Sequence, residues 1–202
     1  MISSLKDRVS VRKYKDQAIS SELLNELFET ACRAANTGNM QTYSIVVTQD
    51  QSVKEALSPC HFNQPSINQA PVVVTFCADF NRFNKWCEQR KAVPGYDNLL
   101  SFTSAMIDAT IVAEHFCVAA ESEGLGTCYF GTTTYNAHKI IDVLKLPKFV
   151  VPIVTLTVGY PAETPQPVDR LPLEGVVHFE TDQDYSSEDI DQIYAYKESL
   201  HE

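Results

Sequence analysis

The sequence predicts one domain in which α-helices alternate with β-strands. Short β-branched runs, helical-period apolar stripes between them, and the absence of any repeat or linker point that way. A chain of 202 residues buries a sizeable core as one domain, here residues 1–202.

Ser20 is suited to cap a first helix carrying Glu22 in its opening turn. Leu23, Leu24, Leu27, Phe28, Ala31 and Cys32 give that helix one apolar stripe, to about Ala35. Asn36-Thr-Gly-Asn39 breaks it. A β-branched run over 44–48 reads as a strand, followed by a short helix over 54–58. Residues 61–70 are polar, contain Pro65 and read as a loop. The run 72–78 is apolar throughout and reads as a strand buried on both faces. Residues 79–97, with Phe83, Trp86 and Pro94-Gly95, read as a helix-and-loop excursion of the kind that covers a site.

The longest periodic stretch, 99–123, reads as a helix apolar on most sides, hence central or at a subunit interface. Gly124 supplies its left-handed cap. A strand over 127–131, a helix capped by Asn136 and stopped by Pro147, and a strand over 150–158 follow. Residues 162–172 are proline-rich and extended. Val176–Phe179 is a candidate last strand, and Ser187 a cap for a final helix with Ile190, Ile193, Tyr194 and Leu200 on its apolar face.

Net charge of −10 argues against nucleic acid as a partner. Lys6, Arg8, Arg12, Lys13 and Lys15 nevertheless stand against the single acid Asp7 at the N-terminus, an island suited to a small anion. The six cysteines form no CxxC pair and no zinc spacing, so no metal site is expected; they fit a reducing, cytoplasmic compartment. No signal-peptide core is present, and Asp108, Glu114 and His115 interrupt the best candidate for a bilayer span, so no membrane is expected as partner.

Within the island, Arg8-Val-Ser-Val-Arg12 places two guanidinium groups and a hydroxyl at every second position. In extended backbone these share one face, with Val9 and Val11 on the other. Arginine grips a phosphate through parallel hydrogen bonds. Taken alone, the pentapeptide also reads as a solvated edge strand.

The motif resembles the N-terminus of the FMN-dependent nitroreductases. The resemblance continues through Thr37-Gly-Asn-Met-Gln41, Gln64, Gln69-Ala-Pro71, Ala78-Asp-Phe-Asn-Arg82 and Ala119-Ala-Glu-Ser-Glu-Gly-Leu-Gly126. Tyr129-Phe-Gly131, Leu146-Pro147, Gly159-Tyr-Pro161 and the stretch from Arg170 to His178 complete it. The later blocks are most similar to the oxygen-insensitive NADPH nitroreductase and flavin reductase branch.

This resemblance implies an α+β, nitroreductase-like fold, with a mixed, mainly antiparallel sheet flanked by helices and a homodimer carrying FMN between its subunits. It assigns Arg8, Val9, Ser10 and Arg12 to the phosphate and ribityl chain, with Arg170 joining on the phosphate. Thr37, Asn39 and Gln41 would line the ring pocket, Gln64 would touch the flavin, and Tyr129, Gly131, Thr132 and Thr134 would form the loop passing it. Read from the residues alone, Asn39 and Gln41 equally make turn hydrogen bonds, and Arg170 a surface charge.

Thr134 stands where the subgroup has a basic residue. The chain also stops at Glu202, short of the branch's C-terminal arm that contacts NADPH, so a choice between NADPH and NADH does not carry over.

The implied activity is ping-pong hydride transfer from NADPH or NADH to a small-molecule electron acceptor: a nitroaromatic, a quinone or a flavin. The flavin does that chemistry, so no catalytic side chain is assigned. The histidines read as surface or satisfied groups. The alternatives are a specialised FMN enzyme with a non-nitro substrate and a flavin-binding protein without turnover.

Overall fold

The computed structural model describes residues 5–95 and 97–200. The chain divides into two compact units, Met1–Pro165 and Gln166–Glu202.

The first unit contains helices α1 (Ser21–Ala31), α2 (Gln51–Leu57), α3 (Pro65–Gln69), α4 (Asn81–Gln89), α5 (Leu99–Ser122) and α6 (Ala137–Leu144). Its strands are β1 (Tyr43–Thr48), β2 (Val72–Asp79), β3 (Gly126–Phe130) and β4 (Val150–Gly159). They form one sheet in the order β1-β2-β4-β3, and every pair is antiparallel. The parallel component is an isolated bridge from Ser10 to Thr127, beside β3.

Strand β2 is buried along its whole length, as its largely apolar run, broken by Thr75 and closed by Asp79, requires. Its alternation divides the core. Val72, Val74 and Phe76 meet α1 and α5, whereas Val73 meets Leu57, Ile67 and Ile140 from α2, α3 and α6. Phe116 of α5 anchors the first layer, stacked 4.9 Å from Phe28 and 5.7 Å from Phe76. The β2–β4 register shifts between Phe76 and Cys77, opposite Pro152, whose nitrogen has no proton for the ladder.

Several elements differ from the sequence reading. Ser20 does cap α1, its hydroxyl accepting from Leu23 N–H, but the helix ends at Ala31 because tighter turns take over at Arg33 and Ala34. Helix α2 begins earlier than expected, at a cap made by Asp50. The supposed loop over 61–70 contains α3, since proline at a first helical position costs no hydrogen bond. Helix α6 ends with left-handed Lys145, before Pro147 is reached. Asn136 does not cap α6 through its side chain, because its amide donates to Cys60 O at 2.8 Å. Gly124 terminates the long helix at φ +76°, as read from the sequence.

Helix α5 is long and apolar enough to cross a bilayer by length and composition, contrary to the expectation from its charged residues. Its buried side packs against the sheet and α1, however, and its Asp108 is enclosed and hydrogen-bonded. In this structure it is a core helix.

The second unit holds a 3₁₀ turn (Leu173–Gly175) and helix α7 (Ser187–Ser199). The cap is Ser186, one residue before the expected Ser187, because Ser186 closes a reciprocal capping box with Asp189. Val176–Phe179 is not a strand: the amides of Val176 and Val177 both turn back to Leu173 O. Of the expected apolar face of α7, only Ile193 is buried.

Candidate functional site

Residues 8–12 are held extended by β3. Val11 N–H donates to Thr127 O at 2.9 Å, and Val11 is buried. Gly126 makes this approach possible, because a Cβ there would stand 2.6 Å from Val11 Cβ. Farther along, Arg12 N–H and Lys13 N–H donate to Glu163 Oε1 at 2.7 and 3.1 Å. The expected alternation is clear only at its end, where Val11 is buried and Arg12 exposed; Arg8 and Ser10 are half-buried. Val9, however, is only partly buried.

The Arg8 guanidinium lies against protein groups. Its Nε is 3.4 Å from Glu121 Oε1, and its Nη2 donates to Thr127 Oγ1 and Cys117 Sγ at 3.5 and 3.6 Å. It also sits 5.8 Å from the centre of the Tyr129 ring, within cation–π range. Tyr129 in turn donates to Glu114 Oε2 at 2.8 Å. Burial pushes the Cys117 thiol up to about 11, so it is protonated at neutral pH.

Thr37, Asn39 and Gln41 form a second group, on a turn where Gly38, Asn39 and Gln41 all have positive φ. Asp108 of α5 closes this turn. Its Oδ1 accepts from Thr37 N–H and Oγ1–H, and its Oδ2 from Thr42 N–H and Oγ1–H. Gln41 Nε2 donates to Asn39 O and Oδ1, each at 3.0 Å. The turn hydrogen bonds allowed by the residues alone are therefore present. Arg82 Nη2 donates to Gln41 O and to Tyr43 O. Beside the turn lies a cleft of about 490 Å³ lined by Met40, Gln41, Tyr43, Ser44 and Arg82 among others.

Gln64 belongs to a third group. It precedes α3, after two left-handed residues, Phe62 and Asn63. Next to it His61 is fully buried, its Nδ1 2.9 Å from Thr132 Oγ1 and its ring edge-on to Phe130. This contact ties the 131–136 turn, with exposed Gly131 and Thr134, to the Gln64 turn. His61 is thus a core residue, not a surface one, and its Nδ1 is satisfied, whereas Nε2 is enclosed with no hydrogen-bond partner among the described residues. Burial pushes its pKa down to about 4.

Asp108 and Cys117 are nine residues apart on α5, so the first and second groups are separated by about 14 Å along its axis. Arg170 lies in the second unit, exposed, with its Nη1 donating to Val168 O and Asp169 O. Sequence reasoning assigned no role to Asp108 or Glu121. The available signal was a carboxylate inside an otherwise apolar helix, which needs buried donors.

These features define an α+β protein built around one buried helix, with a basic extended segment at one sheet edge and a polar turn farther along that helix. The chain belongs to the nitroreductase family, whose model matches residues 5–160. It is 35% identical to the FMN reductase [NAD(P)H] of Bacillus subtilis, over 100% of this chain and 82% of the relative. It is 32% identical to the oxygen-insensitive NADPH nitroreductase of Salmonella typhimurium, over 84% of this chain and 69% of that one. A solved structure from Bacteroides fragilis is 58% identical with a TM-score of 0.96, covering 98% of this chain and 80% of that chain.

Proposed function

We propose that this protein is an FMN-dependent NAD(P)H oxidoreductase acting on nitroaromatic, quinone or flavin-type acceptors. The observation that carries the reading is the extended 8–12 segment, pinned to β3 so that basic side chains lie along one sheet edge. Full-length similarity to an NAD(P)H-dependent FMN reductase supports it.

The donor set fits a flavin mononucleotide. Arg12 is exposed, and among the described residues its guanidinium has no carboxylate partner. With Arg8 and the Ser10 hydroxyl it suits a phosphate dianion, to which the family resemblance adds Arg170, and hydrogen bonds to such charged groups contribute about 1.5–3 kcal/mol each. Thr37, Asn39 and Gln41, from one protomer or its partner, present amides and a hydroxyl suited to the polar edge of the ring. The family resemblance adds Gln64, Tyr129, Gly131, Thr132 and Thr134 as further flavin contacts, with Val9 contributing backbone.

Bound FMN supplies the hydride chemistry, accepting from NADPH or NADH and donating to the acceptor. The protein's own residues bind and orient; none is assigned a proton transfer. The working form is a cytoplasmic homodimer, with the whole chain acting as one flavin-binding domain.

The test is anaerobic. FMN-loaded protein should lose its flavin absorbance on titration with NADPH or NADH and regain it with nitrofurazone or a quinone. Steady-state double-reciprocal plots should be parallel. Loaded protein that neither nucleotide bleaches would be a flavin carrier. Bleaching without turnover of nitro compounds, quinones or free flavin would mark a specialised enzyme.

A further inference from the structure

Arg8 and Arg12 carry the same charge in different surroundings. Arg8 and Glu121 form an ion pair with side chains only 22% and 20% exposed. The same Glu121 oxygen accepts the Thr127 hydroxyl at 2.5 Å and lies 3.4 Å from Cys117 Sγ. Thr127 is itself wholly buried, and its carbonyl receives Val11 N–H. One carboxylate oxygen therefore links the Arg8 side chain to the strand that sets the register of residues 8–12.

This arrangement occupies two of the three Arg8 nitrogens. Nε faces Glu121, and Nη2 faces Thr127 and Cys117. Nη1 has no protein hydrogen bond among the described residues. Arg12, by contrast, is engaged through its backbone N–H, which Glu163 accepts, and among the described residues its guanidinium has no hydrogen bond or ion pair. Acidic groups are otherwise close: Asp7, Glu121 and Glu163 line a cleft of about 290 Å³ with Arg8, and Glu114 accepts from Tyr129, whose ring faces the Arg8 guanidinium.

We infer that Glu121 is a positioning residue of the anion site, holding Arg8 as a neutralised pair and leaving Arg12 to carry the larger share of phosphate binding. The inference rests on the reading that residues 8–12 hold the FMN phosphate. Its physical content is a competition: the Glu121 carboxylate and the ligand's phosphate draw on the same guanidinium. Glu121 holds the geometry of the site and lowers its affinity for the dianion.

Riboflavin, which lacks the phosphate, separates this role from a merely structural one. Dissociation constants for FMN and riboflavin would be measured by flavin fluorescence on full-length wild type, Glu121→Gln, Arg8→Gln and Arg12→Gln. Glutamine keeps an acceptor for Thr127 and removes the charge. The preference for FMN over riboflavin should widen about three- to tenfold in Glu121→Gln at low salt and shrink back toward wild type at high salt. Arg12→Gln should lose more of that preference than Arg8→Gln.

Equal shifts for both flavins in Glu121→Gln, or a narrowed preference, would overturn the inference. If that variant does not fold, the arginine pair decides: an Arg8→Gln loss equal to or larger than that of Arg12→Gln overturns it. Wild type without any preference for FMN removes the phosphate clamp itself, and Glu121's part with it.

Discussion

Asp108 Oδ1 accepts both hydrogen-bond donors of Thr37, the backbone amide at 2.8 Å and the hydroxyl at 3.0 Å. Because the Thr37 hydroxyl proton is committed to Asp108, its oxygen faces any ligand as an acceptor only. With Thr42 on the other oxygen, a single buried carboxylate brackets a turn containing three positive-φ residues. Asp108→Ala leaves four donors without this acceptor and should destabilise the protein by about 3 kcal/mol or more. Urea unfolding measures this, and an unchanged midpoint would show that water replaces the carboxylate.

Gly126→Ala should be costly for a reason local to the basic strand. The new Cβ would meet Val11 Cβ and Cγ2, both at 2.6 Å, so residues 8–12 must move away from β3. A stability loss of about 1–3 kcal/mol is expected, with weaker FMN binding. Adding Val11→Ala should not fully rescue the variant, because the Val11 Cβ remains. Full recovery in the double mutant would contradict the contact.

His61 predicts a pH dependence. Its folded pKa is about 4, lowered by burial, against an ordinary value of 6.5. Between these values the unfolded chain binds the extra proton, so stability falls as pH drops from 6.5 toward 4. The loss is about 3 kcal/mol once the pH is below 4. Wild type and His61→Gln, compared by urea unfolding at several pH values, should differ in slope over this window. Parallel curves would remove His61 as the cause.

Arg12→Ala should lower FMN affinity by about 2 kcal/mol or more, because it strands a dianion with fewer partners. Retention of FMN on a desalting column equal to wild type would count against the clamp.

Helix α5 keeps an apolar outer side, with Leu99, Leu100, Ile107 and Ile111 exposed although the helix is the core of its unit. A dimer that covers this side should be seen by light scattering at micromolar concentration. Ile107→Asp should shift it toward monomer, since burying an unpaired carboxylate outweighs the apolar contact it replaces. A monomeric wild type would refute this placement.

Elements whose own residues carry a periodic signal were legible. The mostly apolar β2, the long α5 and the Ser20-capped start of α1 appear where pattern and caps put them. The misses are of another kind. Val176–Phe179 has strand-like composition but pairs with no strand among the described residues, and composition does not reveal pairing. Pro65 reads as a breaker until one knows that it starts α3. His61 looked ordinary because its burial depends on Phe130 and Thr132, far away in sequence.

From the sequence by itself came the mixed helix-and-strand composition, the central apolar helix, the family resemblance and the list of residues able to meet a phosphate and a polar ring. Those are local properties, written in residue type and spacing. Only the tertiary structure decided that Arg8 is paired with Glu121 while the Arg12 guanidinium is not, and that Asp108 holds the Thr37 turn. The same side chain is free or committed according to what packing brings beside it, and the partners here are 71 to 113 residues away along the chain.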